Sequence, residues 1–224
     1  MNRLLKISTL VVGLIFGSTS AFAFIGELGL NIGISGVVTE LDATGTESEG
    51  NVGTVETNKR SEKLFGAYGE LFLEIQHNFI TVGVSRAQTL ESEETELTND
   101  NSSGDSNTNK VKVDIADLTT VYLKLDLPMD VNGGNLYIRG GIVEADLLTK
   151  ENLGTGSKYD DGTLEGYMGG IGYERDLDEV FIRAEANMTG FDPVSFISTN
   201  NTDNRIKVNS LDGVGIQLFV GKSF

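Results

Sequence analysis

Few side chains in this chain could do chemistry. Histidine occurs once, as His77, and cysteine not at all. Without cysteine there are no disulfides, no thiolate metal sites and no cysteine nucleophile. A lone imidazole nearly removes the usual zinc sites and leaves little for general-base catalysis at neutral pH. His77 falls in Gln76-His77-Asn78, a short run between two patterned segments, so it reads as a turn residue. Gly221-Lys222-Ser223 matches the end of a phosphate-binding loop, but the motif's first glycine would fall at Ile216 and no helical pattern follows. That match is chance. Between residues 91 and 110 lie Glu91, Glu93, Glu94, Glu96, Asp100 and Asp105 against Lys110. The twelfth position counted from Asn99 is Lys110, so EF-hand spacing is missing and a solvated surface loop is expected.

One set of residues is more coherent. Glu70, Glu74, Lys124, Arg139, Arg183 and Glu185 each fall on the polar side of a stretch in which apolar and polar residues alternate. Opposed charges at that density can cross-pair, and buried charges are tolerated only when paired. The chemistry expected of them is a charge network filling a narrow interior, in preference to a gated ion path. No catalytic residue, cofactor or metal ligand is expected.

Strands put successive side chains on opposite faces, so a two-residue period marks the elements that position these charges. Eight such segments are predicted, at about 25–40, 63–75, 79–90, 111–127, 135–148, 163–174, 180–189 and 206–224. The first sets Leu28, Leu30, Ile32 and Ile34 against Asn31 and Ser35. The seventh alternates most clearly, with Ile182, Ala184, Ala186 and Met188 opposite Arg183, Glu185 and Asn187. The sixth is glycine-rich and ambiguous, with Tyr167, Ile171 and Tyr173 on one face. Short connections (76–78, 128–134, 175–179) alternate with long polar ones (about 41–62, 91–110, 149–162 and 190–205). In an antiparallel meander this puts all long loops at one end and all short turns at the other, the asymmetry of outer-membrane barrels. About ten residues at ~3.3 Å each, tilted about 40°, cover roughly 25 Å, the height of the apolar band on such barrels.

The beginning of the chain agrees. Arg3 and Lys6 precede an apolar run from Ile7 to Phe16, and small residues lead to Ala21-Phe22-Ala23. This is the pattern of a cleaved secretory signal over 1–23, with Ala21 and Ala23 setting the cut and Phe24 opening the mature chain. The apolar run is about half of the ~20 residues a spanning helix needs. The formal net charge of -16 opposes binding to nucleic acid phosphates.

The final segment, Gly215-Ile216-Gln217-Leu218-Phe219-Val220-Gly221-Lys222-Ser223-Phe224, puts Ile216, Leu218, Val220 and Phe224 on one face. It resembles the carboxy-terminal signal that outer-membrane proteins present to the barrel-assembly machinery. Across 24–224 the chain resembles the small eight-stranded barrels of the OmpA transmembrane domain, OmpX and opacity-protein type. Lys222 departs from them, since they usually carry an apolar or aromatic residue there. The resemblance implies an all-β, eight-stranded antiparallel up-and-down transmembrane β-barrel in the outer membrane of a Gram-negative bacterium. Its partners would be outer-membrane lipid and lipopolysaccharide, and the assembly machinery during biogenesis. Four acidic external loops would meet an extracellular partner that the sequence does not name.

The expected role is structural or surface-interacting, without enzyme activity. The alternative is a narrow channel, or a lateral path for small apolar molecules of OmpW type; an enzyme acting on outer-membrane lipid ranks third. A soluble lipocalin-like barrel would need an apolar lumen and a polar exterior, the reverse of the pattern seen. Tryptophan is absent, and Phe65, Tyr167, Tyr173 and Phe181 are the candidates for an aromatic girdle. Asp117 and Asp212 fall on apolar faces by counting, which implies either the outer rim or a bulge.

Overall fold

The computed structural model describes residues 28–51, 54–87, 89–90, 95–100, 106–152, 158–200 and 202–224. The signal-cleavage residues Ala21, Ala23 and Phe24 lie outside them. In chain order the strands are β1 (Gly29–Asn51), β2 (Thr54–His77), β3 (Ile80–Ala87), β4 (Thr89–Leu90), β5 (Thr95–Asp100), β6 (Ser106–Asp130), β7 (Asn135–Asn152), β8 (Gly162–Leu177), β9 (Val180–Phe191), β10 (Val194–Ile197) and β11 (Arg205–Ser223). All the pairings are antiparallel. The sheet runs β1-β2-β3-β6-β7-β8-β9-β11, and β11 pairs back onto β1, so the hydrogen bonding closes into a ring. β4 and β5 continue along β6 beyond the end of β3, and β10 lies on β11 beyond the end of β9. Closure leaves no free edge along the ring, and an unpaired edge is what a sheet must otherwise protect.

The short connections are tighter than expected. Gln76 and His77 are paired in β2, which leaves Asn78 and Phe79 as the turn. Arg175 to Leu177 are likewise paired in β8, which leaves Asp178 and Glu179. Asn78 (φ 54°) and Asp178 (φ 61°) are left-handed, a conformation that their short polar side chains tolerate better than most. Between β6 and β7, Asn132 (φ 54°) and Gly133 (φ 78°) are both left-handed, and Val131 and Gly134 exchange backbone hydrogen bonds of 2.8 and 3.2 Å. This is the Asn-Gly turn that matches the twist of a two-residue hairpin. The chain's last residue joins this end, where Phe224 N donates to Leu30 O at 2.9 Å.

The long connections differ from expectation too. Residues 41–51 and 54–62 are a continuation of the β1–β2 ladder up to Asn51 opposite Thr54. Much of 91–110 pairs as β5 with the start of β6, and β7 runs on to Asn152. Part of 190–205 is β10. Most of these stretches had looked like loops because both their faces are polar; β10 is the exception, a four-residue strand too short to show a period, with Val194 and Phe196 packed against the apolar cluster.

Alternation sorts the side chains into inside and outside. Leu30, Ile32, Ile34, Leu71, Leu73, Ile182, Leu218 and Val220 project outward and are exposed. Inward positions are polar toward the short-turn end and apolar toward the other, where Leu41, Leu118, Val143, Leu147, Leu164, Phe191 and Leu211 cluster. Phe181 corrects the girdle assignment: it is 1% exposed, inside the ring with Phe72 and Phe219. It shares the parity of Arg183, which already put it on the inner face. Asp117 sits in a bulge, left-handed at φ 53°, where the β6–β7 register slips between Ala116 and Thr119. The extra residue lets Asp117 reach the Arg86 guanidinium on the next strand, at 2.8 Å. Asp212 keeps its register and is exposed, opposite Asp42.

Candidate functional site

The polar half of the ring interior holds two hydrogen-bonded groups, which meet where the Arg139 guanidinium lies over the Tyr122 ring. Arg183 on β9 reaches across the ring to Glu74 on β2 with two hydrogen bonds, Nη1 to Oε1 at 2.5 Å and Nη2 to Oε2 at 2.8 Å. Its Nε donates to Glu174 on β8. Two parallel N–H···O bonds fix the fork of a guanidinium more strongly than a point contact would. Arg139 on β7 makes a second fork on Glu185, at 2.9 and 2.6 Å, and its Nη2 also donates to Gln217 Oε1 at 2.8 Å. Lys124 Nζ lies 2.7 Å from Asp126 and 3.1 Å from Glu174.

Neutral groups complete the pairing. Tyr122 Oη donates to Glu74 at 2.8 Å, and Asn31 Nδ2 to the other Glu74 oxygen at 3.3 Å. Aromatic faces cover the cations: the Arg183 guanidinium is 4.2 Å from the Phe181 ring centre, and that of Arg139 is 4.7 Å from Tyr122. These contacts add to the Coulomb attraction where water is excluded. Inward aromatic residues also lie over cross-strand glycines. A β-carbon at Gly83 would sit 2.4 Å from the Tyr122 ring, and one at Gly172 would sit 2.3 Å from Tyr137. Glycine at these positions lets a large ring lie flat beside the network.

Five of the six charges singled out from sequence are therefore in ion pairs: Glu74, Lys124, Arg139, Arg183 and Glu185. Glu70 is the exception. It accepts from Gln217 Nε2 at 2.8 Å and from Ser35 Oγ at 3.4 Å, with no ion pair among the described residues. Glu174 and Gln217 had not been singled out. Glu174 was hidden in the glycine-rich sixth segment, although its parity is opposite to that of Tyr173; Gln217 carries no charge to attract notice. Ile216, Leu218, Val220 and Phe224 are outward and exposed. Lys222 pairs with Glu179 at 2.8 Å at the short-turn end. His77 is at that end also, its Nε2 3.1 Å from Asn78 Nδ2. Among the described residues no three His, Cys, Asp or Glu side chains converge as a metal site.

No family model and no curated protein matches this chain. Solved structures do. The outer membrane protein OprG from Pseudomonas aeruginosa is 14% identical, with a TM-score of 0.56 over 88% of this chain and 96% of that one. Neisserial surface protein A is 12% identical over 84% of this chain and 97% of that one, with a TM-score of 0.41. Ail of Yersinia pestis is 13% identical over 86% of this chain and 99% of that one, with a TM-score of 0.37. The likeness to OprG shows the fold: the chain is a small all-β protein that resembles outer-membrane β-barrel proteins. An outer-membrane location accords with that fold.

Proposed function

We propose that the ring is an eight-stranded up-and-down transmembrane β-barrel of the outer membrane, and that it works without catalysis as a structural or surface-interaction protein. In lipid every backbone polar group must be paired, which only helices and closed barrels achieve. The closed hydrogen bonding and the exposed apolar exterior support the membrane reading. The observation that carries the functional reading is the network: Glu74, Lys124, Arg139, Glu174, Arg183 and Glu185 saturate one another across the interior. Eight strands enclose a space only wide enough for side chains, so such a network is a plug. Residues 1–23 are the signal removed on export, and 24–224 form the barrel. Ile216, Leu218, Val220 and Phe224 are read by the assembly machinery. The long-connection end meets lipopolysaccharide and whatever the cell encounters outside.

Planar-bilayer recording tests the plug. The wild-type protein is expected to show no steady conductance. A steady conductance that disappears in Arg183→Ala or Glu185→Ala would overturn the reading.

A second reading has one observation in its favour. The interior toward the long-connection end is apolar, through Leu41, Leu118, Val143, Leu147 and Phe191. On that reading a small apolar molecule enters there and leaves sideways. Uptake of a small aromatic hydrocarbon by cells that produce the protein, with none by cells lacking it, would favour this path over the plug.

A further inference from the structure

The outer face over β11, β1 and β2 changes character in steps toward the long-connection end. Lowest is a groove of about 940 Å³, lined by Ala186, Met188, Val214 and Ile216 between the exposed rings of Phe65 and Tyr167. Carboxylates cross the face above it. Asp212 lies opposite Asp42, and Lys63 pairs with Asp42 and with Glu40 one row lower.

Farther along the same face the charge reverses. Thr46 shares the parity of Asp42 and is flanked by Lys207 of β11 and Lys59 of β2, and Arg205 follows opposite Ser48. Val208 packs inward on the apolar cluster, which sends its neighbour Lys207 outward. Lys59, Arg205 and Lys207 are exposed, and none has an ion pair among the described residues. Three unpaired cations on one strip repel one another, and an anion placed among them removes that repulsion. The strands of Lys59 and Lys207 are two apart, about 10 Å, so one phosphate is within reach of both long side chains. Lys59 lies four residues beyond Lys63, about 13 Å along the strand.

We infer that this face is a docking surface for the phosphorylated, acylated saccharide of lipopolysaccharide. The inference rests on the outer-membrane reading above and assigns it particular residues. An acyl chain occupies the groove, sugar hydroxyls and amides donate to Asp42 and Asp212, and a phosphate lies among Lys59, Arg205 and Lys207. The order of the three zones selects the lipid. Phosphatidylglycerol carries its phosphate directly above its chains, which sets it against Asp42 and Asp212, where like charges repel. A saccharide presents donors at that level and holds phosphate farther out.

The test uses the full chain folded in non-ionic detergent micelles and calorimetric titration. The probes are deep-rough lipopolysaccharide, the same lipid stripped of phosphate, phosphatidylglycerol and inorganic pyrophosphate. Lipopolysaccharide should bind saturably, and each of the other three more weakly by on the order of tenfold or more. Lys59→Gln, Arg205→Gln and Lys207→Gln should each weaken lipopolysaccharide binding about fivefold, and together on the order of a hundredfold. Lys158→Gln removes a charge at the same end, between β7 and β8, and should change nothing. Retained heat-modifiability on gels shows that each variant is folded. Undiminished lipopolysaccharide affinity in the folded triple variant would overturn the inference and leave the barrel standing. So would phosphatidylglycerol or pyrophosphate binding as tightly as lipopolysaccharide, or no saturable binding at all. A wild-type chain that lacks heat-modifiability and stays dissolved without detergent would sink the membrane reading and the inference with it.

Discussion

Arg139 and Glu185 illustrate what a buried charge does for a fold. Desolvating both ions offsets most of their attraction, so the intact pair adds little net stability. Removing one partner is different, because the other charge stays buried alone. Arg139→Met is therefore expected to destabilise the protein by about 3–5 kcal/mol, whereas Arg139→Met combined with Glu185→Leu should recover most of that loss. Urea unfolding of the micelle-bound protein, followed by gel mobility, measures both. Equal destabilisation by the single and double variants would mean that packing, not charge, sets the cost. At this scale the sequence was readable wherever a charge broke an apolar rhythm, as at Arg183 and Glu185. It was not readable where glycine replaced the rhythm, which is why Glu174 escaped. Nor could it foretell that Glu70 would take its hydrogen bonds from Gln217 and Ser35 and not from a cation, since partner choice across a ring depends on register between strands far apart in the chain.

Element by element, the strand phases were legible because each strand has one apolar face over its middle. Their ends were not, because beyond the apolar band both faces are polar. The band's upper margin is visible as a row. Tyr167, Gly190, Asp212, Asp42 and Lys63 are successive cross-strand neighbours, and the row below runs Gly169, Met188, Val214, Glu40 and Phe65. Lys63 reaches Glu40 at 2.6 Å and Asp42 at 3.4 Å. Its hydrogen bond to Glu40, then the charges of Asp42 and Glu40, raise its ammonium pKa above the usual lysine value. Asp212 faces Asp42 directly, and like charges in that position repel. Asp212→Asn should thus stabilise the protein by about 0.5 kcal/mol, within the range measured for cross-strand pairs. A lower urea midpoint for that variant would contradict it. At the opposite end, Gly133→Ala puts a β-carbon on a left-handed residue and should cost about 1 kcal/mol, read from the same unfolding curves.

For the whole molecule the decisive question is which end faces outward. All three short turns, the Leu30–Phe224 contact and Lys222–Glu179 lie together, so the two ends of the ring are chemically distinct. On the proposed export through the periplasm, both termini and the turns belong on the inner side and the long hairpins at the cell surface. The absence of cysteine makes this testable with single labels. Asp160→Cys puts a thiol at an exposed position between β7 and β8, and Glu179→Cys puts one in the turn between β8 and β9. On intact cells a membrane-impermeant maleimide should label the first and spare the second, and both should react once the outer membrane is permeabilised. Labelling of Glu179→Cys but not Asp160→Cys on intact cells would invert the topology while leaving the ring and its plug in place. Labelling of both in a soluble fraction would remove the membrane altogether, because an exterior of Ile34, Leu71, Ile216 and Leu218 would then have to meet water. That apolar surface, continuous around a ring with no edge, is why the outcome expected is lipid on the outside and charge within.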